Sequence, residues 1–220
     1  MVYCLVNKDT YMIKATYTTL ALFFITAFAL ITPATAQTVT GSASVSGNIT
    51  ISATGVFFNA SGSNSPANPL KPYSGNPNSG SFSGLTSGAI KNLPGVTAPG
   101  PLAIKSFASF NTPSGTIAFD LQSAAPAFGS TQDCANAAIG NVCTPAGSPL
   151  TVIQTAANAT AIELVLKSIA YPATAGPGSA GTTMSLTIVT VSIGTISGLM
   201  PIIATPSGIR LFYSATLTAP

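Results

Sequence analysis

Residues 38–53 alternate between apolar or small side chains and polar side chains along their whole length. The odd positions carry the apolar set, which comprises Val39, Ala43, Val45, Ile49, Ile51 and Ala53. Serine, threonine and asparagine fill the even positions. A period of two residues predicts a long β-strand with one buried face and one hydrated face. Gly41 and Gly47 fall on the buried side, where they allow a bend or a bulge.

Three further segments repeat this alternation, and each predicts a strand with one hydrated face. Their apolar positions are Ile117, Phe119 and Leu121 in the first, Ile162, Leu164 and Leu166 in the second, and Ile209, Leu211, Tyr213, Ala215 and Leu217 in the third. Residues 184–193 differ, because their apolar side chains lie at even positions up to Ile188 and at odd positions from Val189 onward. This change of parity predicts a bulge or a strand buried on both faces.

Turn-forming residues separate the predicted strands. Asparagine, serine, glycine and proline are frequent in residues 59–81, 92–101 and 171–181, which we interpret as surface loops. About eight strands joined by such loops, without a long helical period, predict an all-β protein with an antiparallel β-sandwich. Short helical turns are expected at residues 134–139 and 196–203.

The amino-terminal segment has the pattern of a secretory signal peptide. Lys8 and Lys14 precede an apolar run at residues 20–31, and an Ala-x-Ala site ends at Ala36. The apolar run is shorter than the roughly 20 residues that cross a bilayer as a helix. We therefore expect no permanent membrane span after cleavage.

This pattern divides the chain into two parts. We expect a cleaved signal-peptide helix at residues 1–36 and a single sandwich domain at residues 37–220. Either Met1 or Met12 fits the start of the signal. The mature protein is expected to be secreted, extracellular or attached to the cell surface, and the periplasm is the alternative compartment.

Charged side chains are scarce in the expected domain. Its basic residues are Lys71, Lys91, Lys105, Lys167 and Arg210, and its acidic residues are Asp120, Asp133 and Glu163. Five basic and three acidic side chains leave a net charge of +2. This charge is too small and too dispersed for nucleic-acid binding, which requires basic side chains clustered on one face. The chain is 46% hydrophobic, which is sufficient for a buried core.

Cys134 and Cys143 are the only cysteines after residue 36, and export favours a disulfide between them. A disulfide that closes this ten-residue loop stabilises the fold by roughly 2.5 to 3 kcal/mol, because it lowers the conformational entropy of the unfolded chain. The spacing is not that of a Cys-x-x-Cys redox pair, and after residue 36 there is no histidine or third cysteine to complete a zinc site.

The sequence lacks the side chains on which most catalytic sites depend. It contains no histidine, so a conventional Ser-His-Asp triad cannot form. No Ser-x-x-Lys spacing marks a serine-lysine dyad. Residues 176–181 (GPGSAG) match the G-x-G-x-x-G dinucleotide pattern by letter. A strand is predicted after them where that motif requires a helix, so we interpret them as a Gly-Pro turn.

The three acidic side chains are expected to be solvated. Asp120 lies on the polar face of its strand, Asp133 adjoins the cysteine loop, and Glu163 shares the outer face of its strand with Lys167. Glycoside hydrolysis requires two facing carboxylates, and calcium sites combine several of them. We therefore expect no enzyme activity, no metal site and no cofactor.

The first and last predicted strands carry few of the charges and prolines that protect an open sheet edge. We expect both to be interior strands of a closed monomer. At an edge, either strand would pair with another copy of the chain or with another surface protein by strand addition. The alternating segment after the signal also resembles that of exported subunits of donor-strand fibres.

Several segments carry a second resemblance. They are residues 52–58 (SATGVFF), the pair Cys134 and Cys143, and residues 144–150 (TPAGSPL). These segments resemble poorly characterised bacterial exported β-sandwich proteins, some of which carry a PEP-CTERM sorting tail. The resemblance implies a bacterial surface protein. The sequence ends at residues 217–220 (LTAP) without a Val-Pro-Glu-Pro motif, so attachment by that route is not expected.

These features favour a secreted structural or adhesive protein of the cell surface or extracellular matrix, without catalysis. The first alternative is a carbohydrate-binding module in which Tyr73, within the polar loop at residues 59–81, contacts a glycan. The second is a subunit of a strand-exchanged extracellular fibre. A hydrolase is the least favoured function, because histidine is absent and carboxylates are few.

Overall fold

The first predicted strand forms as expected in a computed structural model, which describes residues 38–58, 68–73, 77–126 and 134–219. The strand β1 spans Ser42–Ser52. Its inward side chains are the predicted odd positions, and Val45, Ile49 and Ile51 are each at most 2% exposed. Gly47 causes no bulge, because the pairing register runs without a break along this strand.

The described residues form eleven further strands, one α-helix and two short 3₁₀ turns. The other strands are β2 Gly55–Phe57, β3 Asn68–Pro72, β4 Ser87–Ile90, β5 Leu93–Pro94, β6 Gly100–Thr112, β7 Gly115–Ala125, β8 Val142–Cys143, β9 Leu150–Ala156, β10 Ala159–Pro172, β11 Thr182–Ile193 and β12 Ile209–Thr218. The helix α1 is Ile196–Ile203, and the 3₁₀ turns are Gly80–Phe82 and Ala173–Ala175.

Eight of the strands close a ring in the order β1, β3, β4, β6, β7, β10, β11, β12 and back to β1. Every pairing is antiparallel. The remaining strands attach to this ring, with β2 beside β1, β5 beside β2, β9 beside β10 and β8 beside β9. The predicted all-β, antiparallel class is therefore confirmed.

The pairing forms one continuous closed sheet, whereas the sequence predicts two stacked sheets. The ring closes because β11 pairs with β10 along one edge and with β12 along the other. Alternation reports which side of a strand is buried, but it does not report which strands pair. A closed sheet and a sandwich therefore produce the same pattern along the chain.

The parity change in β11 has a different cause from either predicted one. The strand pairs with both neighbours without a register shift, so it contains no bulge. Even positions point inward throughout, and Thr190 and Ser192 are buried there at 2% and 4% exposure. The apolar side chains of Val191 and Ile193 point outward instead, where they are 60% and 86% exposed. The prediction of burial on both faces is therefore wrong.

The strands β1 and β12 are interior, as expected. Each is paired on both sides, with β12 lying between β11 and β1. Beyond its pairing with β3, β1 accepts two more backbone hydrogen bonds on that side. The Tyr73 amide donates to the Ser44 carbonyl, and the Ser79 amide donates to the Ser42 carbonyl. The strand β12 pairs with β1 from Ile209 to Thr218 and with β11 from Tyr213 to Thr218.

Some predicted loops contain short regular elements. The strand β3 lies within the loop expected at residues 59–81, the first 3₁₀ turn begins in it and ends at Phe82, and β5 lies within the loop expected at 92–101. The helix at 196–203 is confirmed, whereas the described residues 134–139 form turns without a helix. Residues 176–181 form a turn between β10 and β11, as predicted.

Aromatic side chains fill the interior of the closed sheet. Phe110 and Phe119 pack edge to face with ring centroids 5.2 Å apart, and Phe82 lies 6.1 Å from Phe110. Phe58 contacts Phe107 and Tyr213 at 6.2 and 5.8 Å. These contacts join strands from different parts of the ring into one core.

Residues 1–36, the expected signal peptide, lie outside the described part of the chain. Within the described ranges, no helix has both the length and the apolar character needed to cross a membrane.

Candidate functional site

Asp120 is buried, which corrects the expectation that it is solvated. Its strand β7 points Phe119 and Leu121 inward, so the Asp120 side chain leaves the opposite side of the sheet. The bulged part of β6 and the turn at residues 176–181 cover it there and leave it 2% exposed. Sequence alternation cannot reveal such a cover, because the covering segments come from other parts of the chain.

Four donors saturate this carboxylate. Oδ1 accepts hydrogen bonds from the Ser106 amide and the Tyr171 hydroxyl, each at 2.7 Å. Oδ2 accepts from the Gly178 amide at 2.7 Å and from the Lys105 ammonium group at 3.0 Å. Ser106 has φ +47°, and among the described residues it is the one non-glycine with a positive φ. The bulge thus turns its amide toward the carboxylate.

The arrangement favours ionised Asp120. Burial raises the pKa of this carboxyl. The hydrogen bonds from Ser106, Tyr171, Lys105 and Gly178 lower it by more than burial raises it, so the net pKa lies below its usual value. Burial and the neighbouring carboxylate raise the pKa of Tyr171. A carboxylate stabilised by four donors is a weak base, and this geometry serves to anchor β6, β10 and the turn.

The other acidic side chains do not join Asp120. Glu163 lies half-buried on the outer side of β10, where it pairs with Val189 and Thr151. Asp120 pairs with Ile169, six residues further along the same strand, which corresponds to about 20 Å. Asp133 lies outside the described residues. No group of metal-ligating side chains occurs in the described ranges.

The predicted disulfide between Cys134 and Cys143 is present, with the two Cα atoms 5.1 Å apart. Cys143 lies in β8, where it pairs with Val152 of β9 and is 0% exposed. The bridge therefore fixes the loop before β8 to the strand at the end of the sheet path.

Tyr73, the predicted glycan contact, directly follows β3 and is 45% exposed. Its amide donates to the Ser44 carbonyl at 2.9 Å, which places it beside the outer face of β1. Lys71 lies two residues earlier in β3 and is also exposed, so both side chains lie on the outer side of the sheet. The structure thus brings an aromatic ring and an ammonium group to one face.

The outer face also carries exposed apolar side chains that were not among the predicted site residues. Phe212 of β12 is 71% exposed and directly precedes Tyr213, the first residue of β12 that pairs with β11. Val191 and Ile193 follow the paired residue Thr190 on β11 and are also exposed. Phe212 lies between Leu211 and Tyr213, which both occupy the predicted inward positions. A large apolar residue at an even position of this strand was therefore the signal for an exposed apolar side chain.

A cleft of about 190 Å³ lies next to Phe212, on the outer side of β12, β1 and β3. Its lining comprises the outward residues Ser46, Asn48, Lys71 and Phe212, together with Gly47, Pro69 and the buried Phe58. A second cavity, of about 140 Å³, lies between α1, β1 and the loop before β9. That cavity is mainly apolar, with Ile51, Met200 and Ile203 among its lining residues.

No protein-family model, curated protein or solved structure matches the chain.

Proposed function

We propose that the protein is an exported structural or adhesive protein of the cell surface or extracellular matrix, and that it acts by contact. The observation that carries this proposal is the group formed by Val191, Ile193 and Phe212 on the outer face of β11 and β12. These side chains are 60%, 86% and 71% exposed, whereas most other large apolar side chains of the described strands are buried inside the closed sheet. Adjacent exposed apolar side chains are typical of surfaces that bind a partner.

Several features support a role without catalysis. The sequence has no histidine, and the two described carboxylates lie far apart on β7 and β10. Asp120 is occupied by its four donors. General acid–base catalysis most often uses a histidine or a carboxylate, and no carboxylate lines the cavities formed by the described residues.

The disulfide and the signal-like segment support export. Disulfides persist in oxidising compartments, which matches the expected removal of residues 1–36 during secretion. The resemblance to bacterial exported β-sandwich proteins agrees with the same destination, and we propose a bacterial surface location on that basis.

We also propose that opposite walls of the ring pack as two layers, as in the predicted sandwich. Phe58 supports this arrangement, because it contacts Phe107 of β6 and Tyr213 of β12. These two strands lie four steps apart in a ring of eight.

Carbohydrate binding is a second candidate function, and the cleft beside Phe212 favours it. Sugar rings pack their C–H faces on aromatic rings, while hydroxyl and amide groups bind their hydroxyls. The fibre alternative has less support, because β1 and β12 are paired on both sides. Strand exchange would then have to use another edge, such as the two-residue strand β8.

An adhesion assay tests the main proposal. We expect the purified protein to be retained on the cell-envelope fraction of the organism that encodes it. A variant with Val191→Ser, Ile193→Ser and Phe212→Ser is expected to lose most of this retention. Ile139→Ser is the matched control, since Ile139 is 66% exposed in the cysteine loop. Equal loss in the control, or no retention of the wild type, would contradict the proposal.

A further inference from the structure

We propose that the cleft between β12, β1 and β3 binds an acidic polysaccharide. In this assignment Phe212 stacks on a sugar ring and Lys71 binds a carboxylate of the polymer. The inference rests on the proposed contact function, because it names the ligand class of the same outer face.

The strand register places the polar floor of the cleft between these two side chains. Asn48 of β1 lies opposite Phe212, and Ser46 lies opposite Lys71 on one side and Ser214 on the other. Neighbouring strands lie about 4.8 Å apart and alternate residues about 6.8 Å apart, so the Cα atoms of Phe212 and Lys71 are roughly 12 Å apart. A short oligosaccharide spans this distance.

The floor is suited to a ligand rich in hydroxyl groups. Asn48 supplies an amide with two donors and an acceptor oxygen, and Ser46 supplies a hydroxyl that both donates and accepts. Ser214, opposite Ser46 on β12, adds a hydroxyl on the outer face beside the cleft. The Phe212 ring provides an apolar plane beside them, and it is 71% exposed. Apolar contact through one ring combined with several hydrogen bonds is the composition expected for sugar recognition.

Charge selects an acidic sugar. No acidic residue occurs between residues 38 and 119 or after residue 163. Lys71 and Arg210 are exposed cations on β3 and β12, and in the described part of the chain the one ion pair is that of Lys105 with Asp120. Glu163 lies on β10, four strands from Lys71 around the ring. Among the described residues, no carboxylate lines the cleft, so Lys71 and Arg210 give it a positive potential.

Arg210 and Tyr73 extend the same face in opposite directions. Arg210 pairs with Thr50 and lies two residues before Phe212, so both side chains leave β12 on the outer side. Tyr73 lies two residues beyond Lys71, next to Ser44. The two cations thus flank the Phe212 and Asn48 row, and a chain with repeated carboxylates can contact both of them.

Affinity electrophoresis provides the test. The purified protein is run in gels that contain polygalacturonate, its methyl-esterified form or neutral dextran. We expect strong retardation by polygalacturonate, weaker retardation by the ester and none by dextran. Lys71→Gln and Phe212→Ser should each weaken the binding to polygalacturonate by about tenfold. Phe212→Tyr should preserve it, because the platform remains.

Lys167→Gln is the matched control for charge. Lys167 is exposed on the outer side of β10, away from the cleft, and its loss is expected to leave the retardation unchanged. Equal effects of the Lys71 and Lys167 substitutions would show nonspecific attraction and would overturn the site. Binding to vesicles of anionic phospholipid without binding to polygalacturonate would also overturn it, in favour of a membrane partner.

The outcomes separate this inference from the proposed function. If the wild type adheres to the envelope fraction but binds none of the three polymers, the ligand class is wrong and the contact function stands. If neither adhesion nor polymer binding occurs, both proposals fail. Thermal unfolding midpoints of all variants should match that of the wild type, because the substituted side chains are exposed.

Discussion

A single carboxylate joins three separate segments of the chain. Asp120 is 2% exposed, and its four donors belong to β6, β10 and the turn before β11. A buried polar group of this kind stabilises the fold only while every partner is present. Lys105 contributes from a side chain that is 57% exposed, so solvent screens its part of the interaction.

Asp120→Asn is expected to lower the free energy of unfolding by about 2–4 kcal/mol, because an amide cannot accept from all four donors. Urea titration at pH 7 measures this loss. Glu163→Gln is the control and should change stability by less than about 0.5 kcal/mol. A similar loss in both variants would show that the buried hydrogen bonds of Asp120 do not contribute more to stability than an ordinary surface carboxylate does.

The same carboxylate predicts a loss of stability in acid. Its pKa in the folded protein lies below the usual value near 4, so its contribution is complete at higher pH. That contribution should disappear as the pH falls through the folded-state pKa, and Asp120→Asn should show a shallower acid transition than the wild type. Identical acid transitions would contradict the hydrogen-bond network.

Tyr213 predicts a loss of stability at the alkaline end. Burial raises the pKa of its hydroxyl, and within the described ranges that hydroxyl has no hydrogen-bond partner. Stability should therefore fall as the pH rises above about 10, where the unfolded tyrosine ionises. Tyr213→Phe should reduce this alkaline loss and raise the free energy of unfolding at pH 7 by about 0.5–1 kcal/mol. Tyr73→Phe is the control, because Tyr73 is exposed and its substitution should leave the alkaline loss unchanged. A marked loss of stability in Tyr213→Phe would contradict this prediction.

Among the elements, the disulfide acts on the part of the sheet outside the ring. It fixes β8, which pairs with β9 through two residues. A variant with both Cys134→Ser and Cys143→Ser should lose roughly 2.5 to 3 kcal/mol of stability. Hydrogen exchange should accelerate in β8 and the loop before it while β10 and β11 keep their protection. Faster exchange throughout the ring would show that the bridge supports the whole fold.

Local patterns predicted the elements well where one strand face meets the core and the other meets water. The strand β1 and the inward positions of β7, β10 and β12 followed directly from alternation. The helix α1 also lies where it was expected, since Thr195 caps it and the buried Gln154 side chain accepts from the Ile196 amide at 2.8 Å.

The missed features depend on contacts that no local pattern contains. The bulge around Ser106 inserts two extra residues into β6 between Ile104 and Ala108 and also buries the odd-numbered Phe107, so the alternation along this strand is interrupted. The polar residues Thr190 and Ser192 occupy inward positions of β11, where Thr190 donates to the Phe212 carbonyl at 2.6 Å. Side-chain bonds to the backbone allow polar residues inside and leave Val191 and Ile193 outside. The exposure of Phe212 could be predicted from its even position in β12. The cleft beside it could not, because it depends on where β1 and β3 lie next to β12.

At the scale of the whole molecule, closure pairs each of the eight ring strands on both sides over at least part of its length, which leaves little free strand edge in the ring. Contacts with other molecules must then be made mainly by side chains on the outer face. That face combines exposed apolar residues with Lys71 and Arg210, and it carries few carboxylates. The proposed contact function follows from this combination of a closed sheet and an outward apolar group.

Hydroxyl-radical footprinting with mass spectrometry tests this central claim most directly. The protein is oxidised free in solution and while bound to the cell-envelope fraction of its own organism. The account predicts that the oxidation of Phe212, Val191 and Ile193 falls severalfold on binding, while that of Ile139 stays the same. Unchanged oxidation of Phe212 in the bound protein, together with protection of Ile139, would contradict it.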